Sequence, residues 1–298
     1  MRELEKLLLA IGVSLLLLAT GAAARGTSAP HPNCVGLTGE AKALADQLMA
    51  NQYPYDCCDK TIGECLKQDP ICALAWRLAG DICRRVADGQ DEKVIVRGLS
   101  RRARSMMLGG KRADIDLNGA PALGPADAPV VVVEYACARC PFCSKITPPL
   151  VSAVRQGPLA NKVRLIFKPF PIRSHPFSKE TGLGFLAAAR MGKFWPFLLY
   201  SYEHFDDFCV KKQRAWAQAA GLDGAAFDQL VSDPAVRQAL VDSKKEGLRN
   251  KVEATPTFFI NGRKYVGDLE LPELIDVLQE EHERLQGKVH RQVQAGPG

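Results

Sequence analysis

Val130-Val131-Val132-Val133-Glu134-Tyr135-Ala136-Cys137-Ala138-Arg139-Cys140-Pro141-Phe142-Cys143 is the stretch on which the reading of this 298-residue chain turns. Val130 to Tyr135 is short, β-branched and bounded by Pro129, the pattern of a buried strand. A helix is expected from Pro141 to about Gln156, with Cys140 as its N-cap. Pro141 then takes the first helical position, where a missing N–H costs nothing. A thiolate at the cap faces unpaired backbone N–H groups and the positive end of the helix dipole. That placement lowers a cysteine pKa from roughly 8.5 to between about 3.5 and 7.5. Cys143, one turn further in, is expected to be more buried and less ionised. Two thiols at this spacing can close into a disulfide and reopen, moving electrons without a cofactor. The same CxxC spacing is also half of a zinc site.

A second motif lies far downstream in Ala254-Thr255-Pro256-Thr257-Phe258-Phe259-Ile260-Asn261-Gly262. Thr257 to Ile260 reads as a strand, and Asn261-Gly262 is a two-residue hairpin turn. Pro256 is allowed at the strand's first position. Taken alone, its peptide bond is expected to be trans.

The two motifs together resemble the DsbA-like branch of the thioredoxin superfamily, over about Pro121 to Glu281. Pro121 to Pro129 is similar to its lead-in, and Val133-Glu134-Tyr135 through Cys143 to its first strand and active-site helix. Thr255 to Gly262 is similar to its cis-proline loop and hairpin. The resemblance implies that Pro256 is cis and lies against the Cys140 and Cys143 pair. It also implies that the Thr255 backbone offers its N–H and C=O to a substrate peptide, as in strand addition. Pro141 and Phe142 flank the same surface.

Glu134 stands in an otherwise apolar strand. Strict alternation would point it to solvent. A buried carboxylate there would have a raised pKa and would exchange the Cys143 proton. The resemblance favours the second reading, since the family carries a glutamate at this place.

Cys137 departs from the family, where many relatives have an acidic residue. Three readings stay open. It is a small buried thiol at the strand's end; or an auxiliary thiol that attacks a Cys140 mixed disulfide or pairs with Cys209; or part of a zinc or iron–sulfur site with Cys140 and Cys143.

The chain begins with Arg2 and Lys6, then the apolar run Leu7 to Thr20 and the small residues Ala22-Ala23-Ala24. That is a signal peptide over residues 1–24, or an anchor if it is not cleaved. Export to a bacterial periplasm or cell envelope is expected either way, with membrane contact only if the leader stays. Ten cysteines in an exported chain are read first as disulfides.

Domains are expected at 32–108 (cysteine-rich, helical), 109–128 (linker and lead-in) and 129–285 (thioredoxin-like, α/β, with a helical insert at about 174–251). Residues 286–298 read as a flexible tail. The small domain carries Cys34, Cys57, Cys58, Cys65, Cys72 and Cys83. Fifteen pairings are possible. Cys72 and Cys83 on one helix are about 16 Å apart and cannot bond, and adjacent Cys57 and Cys58 are not expected to pair. The six are staples, or a second thiol relay toward Cys140. Asp69-Pro70 is expected to start the helix carrying Leu74, Leu78 and Ile82. Asp91 is expected to start another, with Arg97, Arg101, Arg102 and Arg104 on a solvated face. Tyr55 to Met107 also resembles the helical thiol-reductase domain of the CcmH type in its helix pattern and its Ala87 to Asp91 turn. Its cysteines do not reproduce that family's motif.

Phe170, just before the insert, and Phe177, Phe194, Trp195 and Phe197 within it read as core; His175, between Ser174 and Pro176, is either near the active-site groove or, as favoured, a loop histidine with a local hydrogen bond. The net charge of +6 invites nucleic acid as a partner, but export argues against it. The expected function is therefore a thiol:disulfide oxidoreductase without cofactor or metal, acting as disulfide donor to cysteine-containing proteins and reset by a redox partner. Its alternatives are a reductase or isomerase, for example in cytochrome c maturation, and a metal-binding protein.

Overall fold

The computed structural model describes residues 30–107 and 111–287. The leader, the Gly109-Gly110 break and the tail beyond Gly287 lie outside the described residues.

Four helices come first: α1 (Gly39–Asn51), α2 (Ile62–Cys65), α3 (Ala73–Ala87) and α4 (Glu92–Met106). They surround a small core of Leu48, Ile62, Leu78, Ile82 and Ile95. Disulfides Cys34–Cys83, Cys57–Cys72 and Cys58–Cys65 staple it. A core this small gains most from such closure, since each bridge restricts the unfolded chain. The helix α3 starts at Ala73 rather than after Asp69-Pro70. Cys72 is its N-cap, and Cys72 Sγ accepts the Ala75 N–H at 3.3 Å. The Asp69-Pro70 bond is cis.

The sheet follows. It comprises β1 (Ala122–Leu123), β2 (Val130–Ala136), β3 (Val163–Pro169), β4 (Thr257–Ile260) and β5 (Arg263–Lys264), in the order β1-β3-β2-β4-β5. The pair β2 and β3 is parallel, and the other pairs are antiparallel. Asn261 and Gly262 both have positive φ, which the tight hairpin between β4 and β5 requires. The stretch expected as linker is packed on this sheet. Ala113 N–H donates to the Gly262 carbonyl at 2.7 Å, and Asp116 N–H to Glu246 at 2.8 Å.

One sheet face is covered by α5 (Pro141–Gln156), most of the insert and the last helix, while the end of the insert packs on the other face against Tyr135 and Phe170. The insert contains α6 (Ser178–Arg190), α7 (Phe194–Glu203), α8 (Gln213–Ala219), α9 (Gly224–Ser232) and α10 (Pro234–Arg249); α11 (Leu271–Leu285) closes the fold. Phe167, Phe185, Phe194 and Phe197 interlock with ring centroids 5.0–5.9 Å apart. Burying each contributes about 2–3 kcal/mol. Phe177 departs from the core reading. It is 50% exposed, in left-handed backbone at the start of α6.

The largest correction concerns the arginine face of α4. Arg102 is fully buried. Its guanidinium lies 3.4 Å from Glu280 and 3.6 Å from Asp276 on α11. Arg77 makes two hydrogen bonds to Glu283, at 2.6 and 2.7 Å, and Arg85 pairs with Glu273. Arg102, with Arg77 and Arg85 of α3, therefore docks the helical domain on α11, while Arg97 and Arg104 are exposed as expected. Arg77 meets the end of α11 while Arg84 meets Glu270 just before its start, so α3 and α11 run antiparallel. Cys57–Cys72, at the start of α3, lies at the far end from Leu271. Twelve residues of helix separate Cys72 from Arg84, about 18 Å.

Candidate functional site

The strand β2 ends at Ala136, and Cys140 caps α5 with Pro141 at its first position. The sulfur of Cys140 lies 3.2 Å from the Thr255 carbonyl oxygen, in the loop whose Thr255-Pro256 bond is cis. The two motifs, about 115 residues apart, thus meet at one sulfur. Cys140 and Cys143 are free thiols, both covered, while Phe142 beside them is 69% exposed.

The two thiols differ sharply in acidity. A hydrogen bond from the Cys143 thiol, with smaller help from Thr255 and the backbone N–H groups of Cys143 and Phe142, lowers Cys140 to about 5. These donors outweigh burial and the contact with the Thr255 carbonyl, which favours the protonated form. Burial pushes Cys143 well above the ordinary thiol range, and the neighbouring Cys140 and Glu134 push it further. One thiol is a thiolate at neutral pH and the other stays protonated.

Glu134 is fully buried. In β2 it lies between Phe167 on β3 and Phe258 on β4. Both sheet faces are covered there, so alternation offers it no water. Its Oε1 accepts the Thr147 hydroxyl at 2.6 Å, and its Oε2 has no partner among the described residues. Thr147 follows Cys143 by one helical turn, which places the carboxyl beneath that thiol. Burial raises Glu134 to about 8. The folded state then keeps a proton that the unfolded chain loses above about 4.3, so stability falls as pH rises from there to about 8. Glu134→Gln cannot ionise. Compared with wild type by urea unfolding of reduced protein, it should be more stable at pH 9 by a few kcal/mol, and nearly equal at pH 4. A difference that does not change with pH would refute the raised acid.

Cys137 is buried, and its Sγ lies 3.3 Å from His175 Nδ1. His175 thus meets Cys137, three residues before Cys140, a contact that spacing in the sequence did not show. Cys209 is exposed and free, so it is not paired with Cys137. Among the described residues, no three or more His, Cys, Asp or Glu side chains form a group that could hold a metal ion. Sequence reasoning also missed Tyr202 and Arg139. Tyr202 donates to the Cys137 carbonyl at 3.4 Å. The Arg139 guanidinium stacks 4.2 Å from the Phe205 ring centroid and 4.8 Å from that of Phe208. Both residues tie the loop before Cys140 to the insert.

A groove beside the dithiol is lined by Phe142, Lys145, Ile146, Pro256, Leu269 and Leu271. It collects Phe142 and Pro256 from the two motifs, and adds Leu269 from the segment between β5 and α11 and Leu271 from the start of α11.

A family model described as thioredoxin matches residues 117–280, more than half of the chain. Among solved structures, oxidised BdbD from Bacillus subtilis is similar at 18% identity and a TM-score of 0.52, covering 58% of this chain and 97% of that one. Alpha-DsbA1 from Wolbachia pipientis is similar at 20% identity and a TM-score of 0.50, covering 58% and 96%. Among curated proteins, the Na(+)/H(+) antiporter NhaA 1 of Mycolicibacterium vanbaalenii is 33% identical over 159 residues, or 52% of this chain. Antiporter NhaA 3 of Salinispora tropica is 31% identical over 176 residues. The chain spans only about a quarter of the length of these antiporters. Among the described residues, no helix is long and apolar enough to cross a membrane. The family match and the fold shared with DsbA-like structures agree with the site: this chain belongs to the thioredoxin family, and its C-terminal part has a DsbA-like thioredoxin fold.

Proposed function

We propose that this chain is an exported disulfide donor working through Cys140 and Cys143. The observation that carries the reading is the split in acidity between two thiols at one helix N-terminus, with Cys140 lowered to about 5 and Cys143 raised. A stabilised Cys140 thiolate favours the reduced form and makes the disulfide an oxidant.

In the oxidised protein, a substrate thiolate attacks Cys140 Sγ. The Cys140–Cys143 bond breaks, a mixed disulfide forms, and the Cys143 sulfur leaves. Glu134, protonated near neutral pH, gives that sulfur its proton and is reprotonated from water. A second substrate thiolate then attacks the substrate sulfur of the mixed disulfide. Cys140 leaves as the stabilised thiolate. The substrate gains a disulfide, the protein holds a dithiol, and a redox partner must reoxidise it. Thr255 and Pro256 present backbone to the substrate segment, and Pro141 and Phe142 form the apolar lip. No cofactor enters these steps.

Export is supported by the six paired cysteines of the helical domain, since such bridges persist in oxidising compartments. The leader at residues 1–24 points the same way, and a membrane anchor would follow only if it is retained.

Two measurements test the proposal. The reduction potential should lie between about −180 and −120 mV; a value near −270 mV would make the protein a reductase. Cys143→Ala should accumulate mixed disulfides with cysteine-containing proteins through Cys140, because the resolving thiol is gone. Cys140→Ala with Cys143→Ala should accumulate none. Absence of mixed disulfides in the single variant would refute disulfide exchange at this site.

A further inference from the structure

The groove beside Cys140 takes Leu269 from a segment without regular structure, residues 265–270, and Leu271 from the first position of α11. The alternate residues of that segment are held by the helical domain. Val266 N–H donates to Ser105 Oγ at 2.8 Å. Asp268 accepts from Arg85 at 2.9 Å and also pairs with Arg101. Glu270 pairs with Arg84 and accepts from Gln90 at 3.5 Å. Asp268 N–H also donates to Glu273 on α11 at 3.0 Å. The Asp268 and Glu270 side chains thus reach the helical domain, while Leu269 and Leu271 line the groove.

The helix α4 makes room for this grip. A Cβ on Gly98 would lie 2.8 Å from Arg85 Nη1 and 2.9 Å from Asp268 Oδ2. Those contacts are too close for a real side chain, so the ion pair occupies the space that the glycine leaves open.

We propose that the helical domain sets substrate preference: by gripping Asp268 and Glu270, Arg84, Arg85 and Arg101 hold Leu269 and Leu271 as the groove wall that receives an apolar residue flanking the substrate cysteine. The proposal rests on the oxidoreductase reading above. The arginines are positioning residues, because they touch neither the sulfur nor the groove. Four of the six groove-lining side chains are apolar and aliphatic or aromatic besides Pro256, so the occupant is a cysteine-containing segment with a large apolar neighbour.

Arg101 is partly exposed, so Arg101→Ala is the first variant, with Asp268→Asn as the second and Arg101→Lys as the conservative rescue. The oxidised proteins are reacted with a reduced peptide carrying phenylalanine and leucine beside one cysteine, and with reduced glutathione, which is too small to use the wall. In Arg101→Ala and Asp268→Asn, KM for the peptide should rise about tenfold with kcat little changed. The glutathione rate and the pH midpoint of Cys140 alkylation should stay at wild-type values. Arg101→Lys should recover most of the peptide KM. An unchanged peptide KM in Arg101→Ala would overturn the proposal, and so would equal losses with peptide and glutathione. A wild-type protein that reacts with neither would refute the oxidoreductase reading itself, and the proposal with it.

Discussion

Replacing Cys140 by serine should lower disulfide exchange by at least about a thousandfold, because the attacking and leaving group is the thiolate itself. A hydroxyl at the cap keeps the helix start but does not ionise near neutral pH. With its pKa at about 5, Cys140 is about 99% thiolate at pH 7, against about 3% for an ordinary thiol. The rate of alkylation by iodoacetamide should therefore rise with a midpoint near pH 5 in the wild type. In Cys143→Ala the midpoint should move upward, since the Cys143 thiol is the largest single contributor to the lowered value. Linkage fixes the sign for stability. A lowered thiol pKa adds stability to the reduced protein that is full above about pH 8.5 and is lost as pH falls through about 5. The reduced protein should therefore be more stable to urea than the oxidised one at pH 7, by about 2–3 kcal/mol, with the gap closing toward pH 5. A wild-type alkylation midpoint near 8.5 would refute the whole account of Cys140.

The catalytic half of this architecture was legible because its signals are local. The apolar run before Cys140, Pro141 at the helix start and Asn261-Gly262 at the hairpin each act through backbone geometry within a few residues. Glu134 was ambiguous for a physical reason. Alternation assumes one wet face, and the place of β2 in the middle of the sheet removes it. What stayed hidden depends on distant partners. Arg102 looks like part of a solvated helix face until Glu280, 178 residues later, is brought beside it. His175 had no visible role because Cys137 lies 38 residues before it. The break between α9 and α10, by contrast, is local: Asp233-Pro234 restarts the helix. The Asp233 side chain accepts the Ala235 N–H at 2.8 Å, with Pro234 at the first position.

Arg102→Ala should be the most destabilising change away from the dithiol, costing about 3–5 kcal/mol at pH 7. Burial raises Glu280, Asp276 and Glu273, and the positive charge of Arg102 opposes that rise. Tyr55 donates to Glu280 at 2.6 Å but brings no charge. Removing the guanidinium leaves these carboxylates buried together, and they respond by taking up protons. The loss should therefore shrink as pH falls from 7 toward 5, because folded Glu280 then binds a proton that the unfolded chain does not. The pair is not ideal in geometry. Arg102 Nε and Nη1 and Asp81 Oδ2 have no hydrogen-bond partner among the described residues. Replacing both sides of such a network by apolar groups is often neutral or stabilising, while breaking one side is costly. Arg102→Met with Glu280→Gln should accordingly be more stable than Arg102→Met alone, and urea unfolding of the two singles and the double measures the coupling. A loss below about 1 kcal/mol in Arg102→Ala, unchanged between pH 7 and 5, would mean that the helical domain docks on α11 through its other contacts. The predicted loss would instead make the buried arginine the residue that fixes how the helical domain sits on α11, and so how Arg85 and Arg101 reach the loop beside Cys140.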